Sequence, residues 1–479
     1  MASLAVGQQL THGCRMNQLI LAIYSTVMWC AQPFLRRKLV RRGRAEPGYL
    51  AHVEERFGYY NVDTQPVAQL LAPDQRFVWV HAVSLGETRV AGVLIEALRK
   101  RLPDMRLLLT HGTATGRAEG QRLLRAGDVQ VWQAWDTPAA AQRFIQHFQP
   151  RIGILMETEL WPNMAATCAK QGIPLVMANA RLSEKTYTST SKLAWLARPS
   201  YQSLTAVWAQ SAADAQRFEA LGAPVQGVFG NIKFDASVDA KQLAEGQAWR
   251  TKLARSVLMF ASSREGEELQ LLAYLQKNRS NLPLAGVNVA YGAIKNIVID
   301  ENSVRQTDSQ VQWLIVPRHP QRFDQVADLI KAQGFKVSRR SEWPSGGPAS
   351  GDSADTQTLW LGDSLGEMAL YYGLSDVALL GGSFEPLGGQ NLIEAAACGC
   401  PVVMGPSTFN FDEAAQLAVQ TGAASQLDAL PQAVQAAETL LETKNALGAA
   451  RVACAAFAAA HQGAADKTAA AIIQTLLRQ

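Results

Sequence analysis

Residues 77–112 read FVWVHAVSLGETRVAGVLIEALRKRLPDMRLLLTHG. The opening FVWVHAV (77–83) is a short apolar run rich in β-branched and aromatic side chains, which predicts a strand. TRVAGVLIEALRKRL (88–102) repeats apolar residues at three-to-four spacing, the period of an amphipathic helix. RLLLTHG (106–112) is a second strand. Strand, helix and strand in that order make a βαβ unit, and such units build parallel sheets covered by helices on both faces.

Working outward, RIGILM (151–156), IPLVMANA (173–180) and AVWAQS (206–211) continue the series. A polar helical stretch follows at 236–255. The pattern then restarts with VLMFASS (257–263), QWLIVPRH (312–319), LWLGDS (359–364), DVALLGGS (376–383) and PVVMGP (401–406). The fold class is therefore α/β, with two doubly wound, Rossmann-like domains facing a cleft. The expected boundaries are 1–45 for an N-terminal segment, 46–238 for the first domain and 239–479 for the second. The last helix is a candidate to pack back on the first domain. Ligands of such sheets bind outside the carboxyl ends of the strands. Residues 284–310 read as an inserted excursion, and 344–356, rich in Pro, Gly and Ser, as a surface loop.

The 479 residues are 48% hydrophobic and 18% charged, a globular composition long enough for two cores. A net charge of +4 is too mild to argue for nucleic acid. The six cysteines form no Cys-x-x-Cys pair, which reads as free thiols in a reducing compartment. Asn17 to Leu35 (NQLILAIYSTVMWCAQPFL) carries no charge, and Arg36, Arg37, Lys38, Arg41, Arg42 and Arg44 follow it. A buried core helix is one reading of this segment. A membrane anchor, spanning or lying in the interface with its arginines at the cytoplasmic face, is the favoured one.

Candidate chemistry sits where strands end. In HAVSLGE (81–87), Glu87 falls in the first turn of a helix, where the dipole keeps a carboxylate ionised and able to deprotonate a hydroxyl. The same S-x-x-E spacing is that of a plain capping box. ILMETELWPN (154–163) ends a strand in Glu157 and Glu159, which either point into the cleft or solvate a helix entrance. Lys233 in GNIKFD (230–235) faces the cleft or is a solvated linker residue. Arg318 in VPRHP (316–320) offers a fork suited to phosphate, or is a turn charge. GDSLGE (362–367) is a glycine-bracketed turn into a helix, weak evidence on its own. GGSFEPLGGQNLIEAAACGCPVVMGP (381–406) leads a strand through glycines to Asn391 and Glu394, a place for ribose hydroxyls.

Taken together, HAVSLGE, METELWPN, ANARLS (178–183), GNIKFD, VPRHPQRF, GDSLGE, GGS and MGPSTFNF resemble the 3-deoxy-manno-octulosonate (Kdo) transferases of lipopolysaccharide synthesis. The likeness runs from about Arg56-Phe57-Gly58 to near the C-terminus. It implies a GT-B fold and transfer of Kdo from CMP-Kdo to a glucosamine hydroxyl of the tetraacyl disaccharide lipid A precursor. The partners implied are CMP-Kdo, that lipid and the cytoplasmic face of the inner membrane; no cofactor and no catalytic metal are implied. By the same resemblance Glu87 matches the general base, and Glu157 and Lys233 match stabilisers of the transition state. Pro317 and Arg318, Leu365, Gly366 and Glu367, and Asn391, Leu392, Ile393 and Glu394 match CMP-binding segments. Gln390 departs from the family's usual His. The alternatives are another GT-B transferase or an epimerase using a UDP-sugar, and a non-catalytic nucleotide-binding membrane protein.

Overall fold

The structure is a computed structural model that describes residues 2–60, 76–235, 238–279, 289–291, 294–297, 311–348 and 357–478. The chain divides into two units, Met1–Ala236 with Gln462–Gln479, and Ser237–His461.

The first unit holds β1 (Val78–His81), β2 (Leu107–His111), β3 (Val129–Trp132), β4 (Ile152–Met156), β5 (Leu175–Ala180), β6 (Ala206–Ala209) and β7 (Val225–Val228). They form one parallel sheet in the order β3-β2-β1-β4-β5-β6-β7. Side chains alternate across it, as the two-residue period of a strand requires. Trp79, Leu108, Leu155 and Met177 enter the core on one face, and Val78, Val80, Leu109 and Ile154 the core on the other. Gly153 is dictated by this packing: a Cβ there would lie 2.6 Å from the Trp79 ring. Strand order reverses between β1 and β4, so their carboxyl ends flank the crevice of the unit.

The second unit contains β8 (Ser256–Ser263), β9 (Val289–Tyr291), β10 (Ile294–Ile297), β11 (Val311–Pro317), β12 (Lys336–Arg339), β13 (Thr358–Leu361), β14 (Val377–Leu380), β15 (Val402–Met404) and β16 (Ala424–Gln426). Seven of these make a second parallel sheet, β12-β13-β11-β8-β14-β15-β16. β9 and β10 pair only with each other, antiparallel. The rest of the 284–310 excursion, and residues 349–356 of the expected surface loop, lie outside the described residues.

Strands at both edges of both sheets, β3, β7, β12 and β16, were not among the expected ones. The uncharged segment expected over 17–35 belongs to a longer helix, Ala2–Ala45, which runs through Pro33 and the basic cluster. From Gln18 to Ala45 it is long and apolar enough to cross a membrane. It is also seated on the first unit, where Leu39 joins Tyr49 and Trp132 in a small core. The helix Ala464–Leu477 buries Ala465, Ala469, Ile472 and Leu476 in the core that holds Val80. Asp235 caps that helix by accepting from the amides of Gly463 and Ala465.

Candidate active site

In the first unit the site begins at the β1 terminus. Ser84 is the N-cap of the helix Leu85–Arg101 and accepts from the Glu87 amide at 3.3 Å. Its hydroxyl donates to Glu87 Oε1 at 2.9 Å, and the Val83 amide donates to Oε2 at 2.9 Å. Glu87 thus closes a variant of the capping box in which the carboxylate reaches the amide of Val83, one residue before the cap. The box does not compete with a chemical role; it holds a half-buried carboxylate in one orientation at the end of β1.

Glu157 directly follows β4, the neighbour of β1, so the sheet itself brings the two acids together. Its φ of 61° is left-handed, a conformation costing a non-glycine residue about 1–3 kcal/mol. The Glu157 amide donates to the Ala178 carbonyl at 3.0 Å, which ties the strained residue to β5. Burial raises the Glu87 carboxyl above its ordinary value, hydrogen bonds from Val83 and Ser84 oppose the rise, and the charge of Glu157 adds to it. Burial also raises Glu159, helped by the charge of Glu87. Among the described residues none of the three has an ion-pair partner. Glu87 therefore has acidic neighbours whose charge opposes its ionisation, and no cation bound to it among the described residues.

Lys233 lies half-buried on the turn Ile232–Asp235, assigned to this same unit. Its amide is held by Asn231 Oδ1 at 3.0 Å, and the preceding Ile232 amide by Asn179 Oδ1 at 2.9 Å. Asn179 is 2% exposed, with a φ of 53°. It sits in the ANARLS motif, but spacing alone assigns it no partner 53 residues downstream. Asp136 was missed as well. Its buried carboxylate accepts from the amides of Asn163 and Met164, at the entrance of the helix that follows METELWPN. Burial pushes that carboxyl up to about 6 against these hydrogen bonds and one from Tyr24.

In the second unit the glycine-rich run after β14 passes close to β8: a Cβ on Gly381 would lie 2.3 Å from the Ser262 carbonyl oxygen. Glu267, fully buried, accepts from the amides of Arg264 at 2.9 Å, Gly382 at 2.8 Å and Phe384 at 3.2 Å, and so shapes this loop. Pro317 ends β11, and the Arg318 amide donates to the Ser263 carbonyl at 3.0 Å. Arg318 Nε donates to Gln390 Oε1 at 3.0 Å, so Gln390 orients the guanidinium. Burial raises the Glu394 carboxyl and the charge of Arg318 lowers it, which places those two groups within electrostatic reach.

Asn391 caps the short helix Leu392–Ala397 through Ile393 N. Leu392 and Ile393 are core residues at 1% and 4% exposure, so their side chains are not on offer to a ligand. Leu365 is exposed and Gly366 has a φ of 78°, while Glu367 pairs with Arg340 at 2.9 Å.

The family model described as 3-deoxy-D-manno-octulosonic-acid transferase (kdotransferase) matches residues 51–236. The 3-deoxy-D-manno-octulosonic acid transferase of Bordetella pertussis is 38% identical over 455 residues, 93% of this chain and 97% of that protein. The enzyme of the same name from Haemophilus influenzae is 30% identical over 435 residues, 89% of this chain and 92% of its own. Among solved structures, the C-terminal CMP-Kdo binding domain of WaaA from Acinetobacter baumannii is 26% identical. It covers 45% of this chain and 97% of its own, with a TM-score of 0.36.

Proposed function

Since the chain belongs to the 3-deoxy-D-manno-octulosonic acid transferase family, and so is a glycosyltransferase that moves Kdo, we propose that its donor is CMP-Kdo and its acceptor a glucosamine hydroxyl of the tetraacyl lipid A precursor. The observation that carries this reading is the carboxylate cluster at the ends of β1 and β4. An acceptor hydroxyl must lose its proton as the new bond forms. Glu87, held by Ser84 and Val83, takes that proton. Its raised proton affinity narrows the gap to the hydroxyl and makes it a better base than an ordinary glutamate.

The other half of the reaction is departure of CMP from the anomeric carbon in an inverting displacement through an oxocarbenium-like state. Glu157 stabilises the positive charge on the sugar, and Lys233 the negative charge on the departing phosphate. Arg318 and Glu394 hold the CMP moiety, at the phosphate and the ribose respectively. The segments at Pro317, Leu365–Glu367 and Asn391–Ile393 contribute backbone and shape. The leaving group carries a single phosphate, whose charge Arg, Lys and helix N-termini meet without a metal.

Leu19, Ile23, Val27, Trp29 and Phe34 of the first helix are between 47% and 76% exposed, and the arginine cluster follows directly. This supports an anchor at the cytoplasmic face of the inner membrane. Mass spectrometry of products from CMP-Kdo and the tetraacyl disaccharide tests the whole reading. Addition of Kdo to the lipid is expected, and no adduct with folded, membrane-bound protein would sink it.

A further inference from the structure

The helix that opens at the end of METELWPN is held at its entrance by a residue far away in sequence. This helix, Pro162–Lys170, has Trp161 at its N-cap, and the indole makes no capping hydrogen bond. Asp136, 27 residues upstream, does that work: Asn163 N donates to Oδ2 at 2.9 Å and Met164 N to Oδ1 at 2.9 Å. The Asn163 side-chain amide donates to the Asp136 carbonyl at 2.7 Å. That bond fixes which way the amide points, so Oδ1 faces the N-terminal helix 2.8 Å from Ser25 Oγ, whose single proton is shared between Oδ1 and the Leu21 carbonyl at 2.6 Å. The Tyr24 hydroxyl lies close enough to the Asp136 carboxylate for the two to perturb each other's proton affinity. Asp136 and Asn163 are 1% and 3% exposed, so the bonds between them are costly to leave unmade.

Tyr24 and Ser25 sit in the middle of the uncharged stretch. Their hydroxyls turn inward, while Leu19, Ile23, Val27, Trp29 and Phe34 turn outward. An anchor needs only the outward residues. The inward hydroxyls touch the clamp on a five-residue loop whose other end is the strained Glu157.

We propose that Tyr24, Ser25, Asp136 and Asn163 are positioning residues that couple seating of the N-terminal helix to the geometry of the loop from Glu157 to Trp161, so that transfer runs at full rate only with the helix seated. The inference deepens the proposed function, because it rests on Glu157 acting in transfer. When the helix leaves, Asn163 loses an acceptor-side partner and Asp136 loses Tyr24. The helix entrance then loosens, and with it the loop that carries Glu157 and Glu159.

The test uses full-length protein in membranes, with CMP-Kdo and the lipid acceptor. A Tyr24→Phe, Ser25→Ala double variant is expected to lower kcat about tenfold, the scale of one lost buried hydrogen bond or two. Donor KM and retention in the membrane stay unchanged. Hydrogen exchange in residues 157–170 speeds up, and restoring the hydroxyl with Ser25→Thr recovers part of the rate. Asp136→Asn is expected to cost more than the double variant. Wild-type kcat with unchanged exchange in the double variant would overturn the coupling. So would a loss that moves kcat and donor KM together and that Ser25→Thr fails to rescue. If the wild type transfers no Kdo at all, the functional reading fails instead, and exchange in residues 157–170 still decides the coupling.

Discussion

In the first unit Glu87, Glu157 and Glu159 face one another without a cation among the described residues. In the second unit Glu367 meets Arg340 at 2.9 Å, Asp363 meets Arg339 at 2.7 Å, and Glu268 meets Arg322 at 2.7 Å. The same residue type thus serves opposite ends. Burial and a like charge raise the proton affinity of Glu87 and Glu159, which suits removal of a proton. Carboxylates paired with arginine are fixed in orientation, and leave a framework that suits an anionic ligand. The contrast also separates two kinds of failure: loss of the first group should slow chemistry, and loss of the second should weaken binding.

The sharpest way to break this contrast is Glu87→Gln. It keeps the Ser84 and Val83 contacts in outline but removes the base, so kcat should fall by about 10²-fold or more with CMP affinity intact. Near-normal turnover would return Glu87 to a capping role alone. Lys233→Ala follows: kcat should fall by about 10²–10³-fold, because the charge it meets grows only in the transition state. A normal kcat with raised donor KM would move Lys233 to the binding group.

Glu394→Ala should behave the other way, raising donor KM or CMP Kd about tenfold with a smaller change in kcat, as expected for lost hydrogen bonds to a bound ligand. A pH profile sharpens the first unit further. With Glu87 raised by burial and by Glu157, its ionised form fills in only above the ordinary glutamate range, so the acid limb of kcat/KM should lie above pH 4.5. In Glu157→Gln the residual activity should show that limb at lower pH, since one like charge is gone. The folded protein holds these protons more tightly than the unfolded chain. Their contribution to stability is therefore full at low pH and is lost as pH rises through the raised values. The smallest expected effect is that of EDTA, which should leave the wild-type rate nearly unchanged. Strong inhibition reversed by Mg²⁺ would show that the leaving phosphate is met by a metal.

The strands that sequence reading missed are instructive. β3, β7, β12 and β16 are the four edges of the two seven-stranded sheets. β7 and β12 show no fully buried position, so their composition lacks the continuous apolar run that marks β1, β4 and β14. An edge strand pairs on one side only, and what makes it a strand is the neighbour supplied by the fold. Candidate site residues were legible where they end a strand or open a helix, as with Glu87, Glu157 and Arg318. Asn179, Asp136 and Glu267 were not, because their partners lie 53, 27 and 115 residues away.

The sequence by itself determined the alternation of strand and helix, the central strands of both sheets and the motifs that carry the family likeness. It also determined the apolar segment and its basic flank. Each of these is written within a window of some ten residues, where apolar periodicity and capping preference act locally. Only the tertiary structure decided that β1 and β4 lie side by side and so crowd Glu87 with Glu157. It alone seated the first helix against Asn163, and gave a helix headed by tryptophan an aspartate from another element as its cap. Those outcomes depend on strand order and on burial away from water. Burial sets both the proton affinity of a carboxylate and the cost of an unmet amide, and no local window contains it.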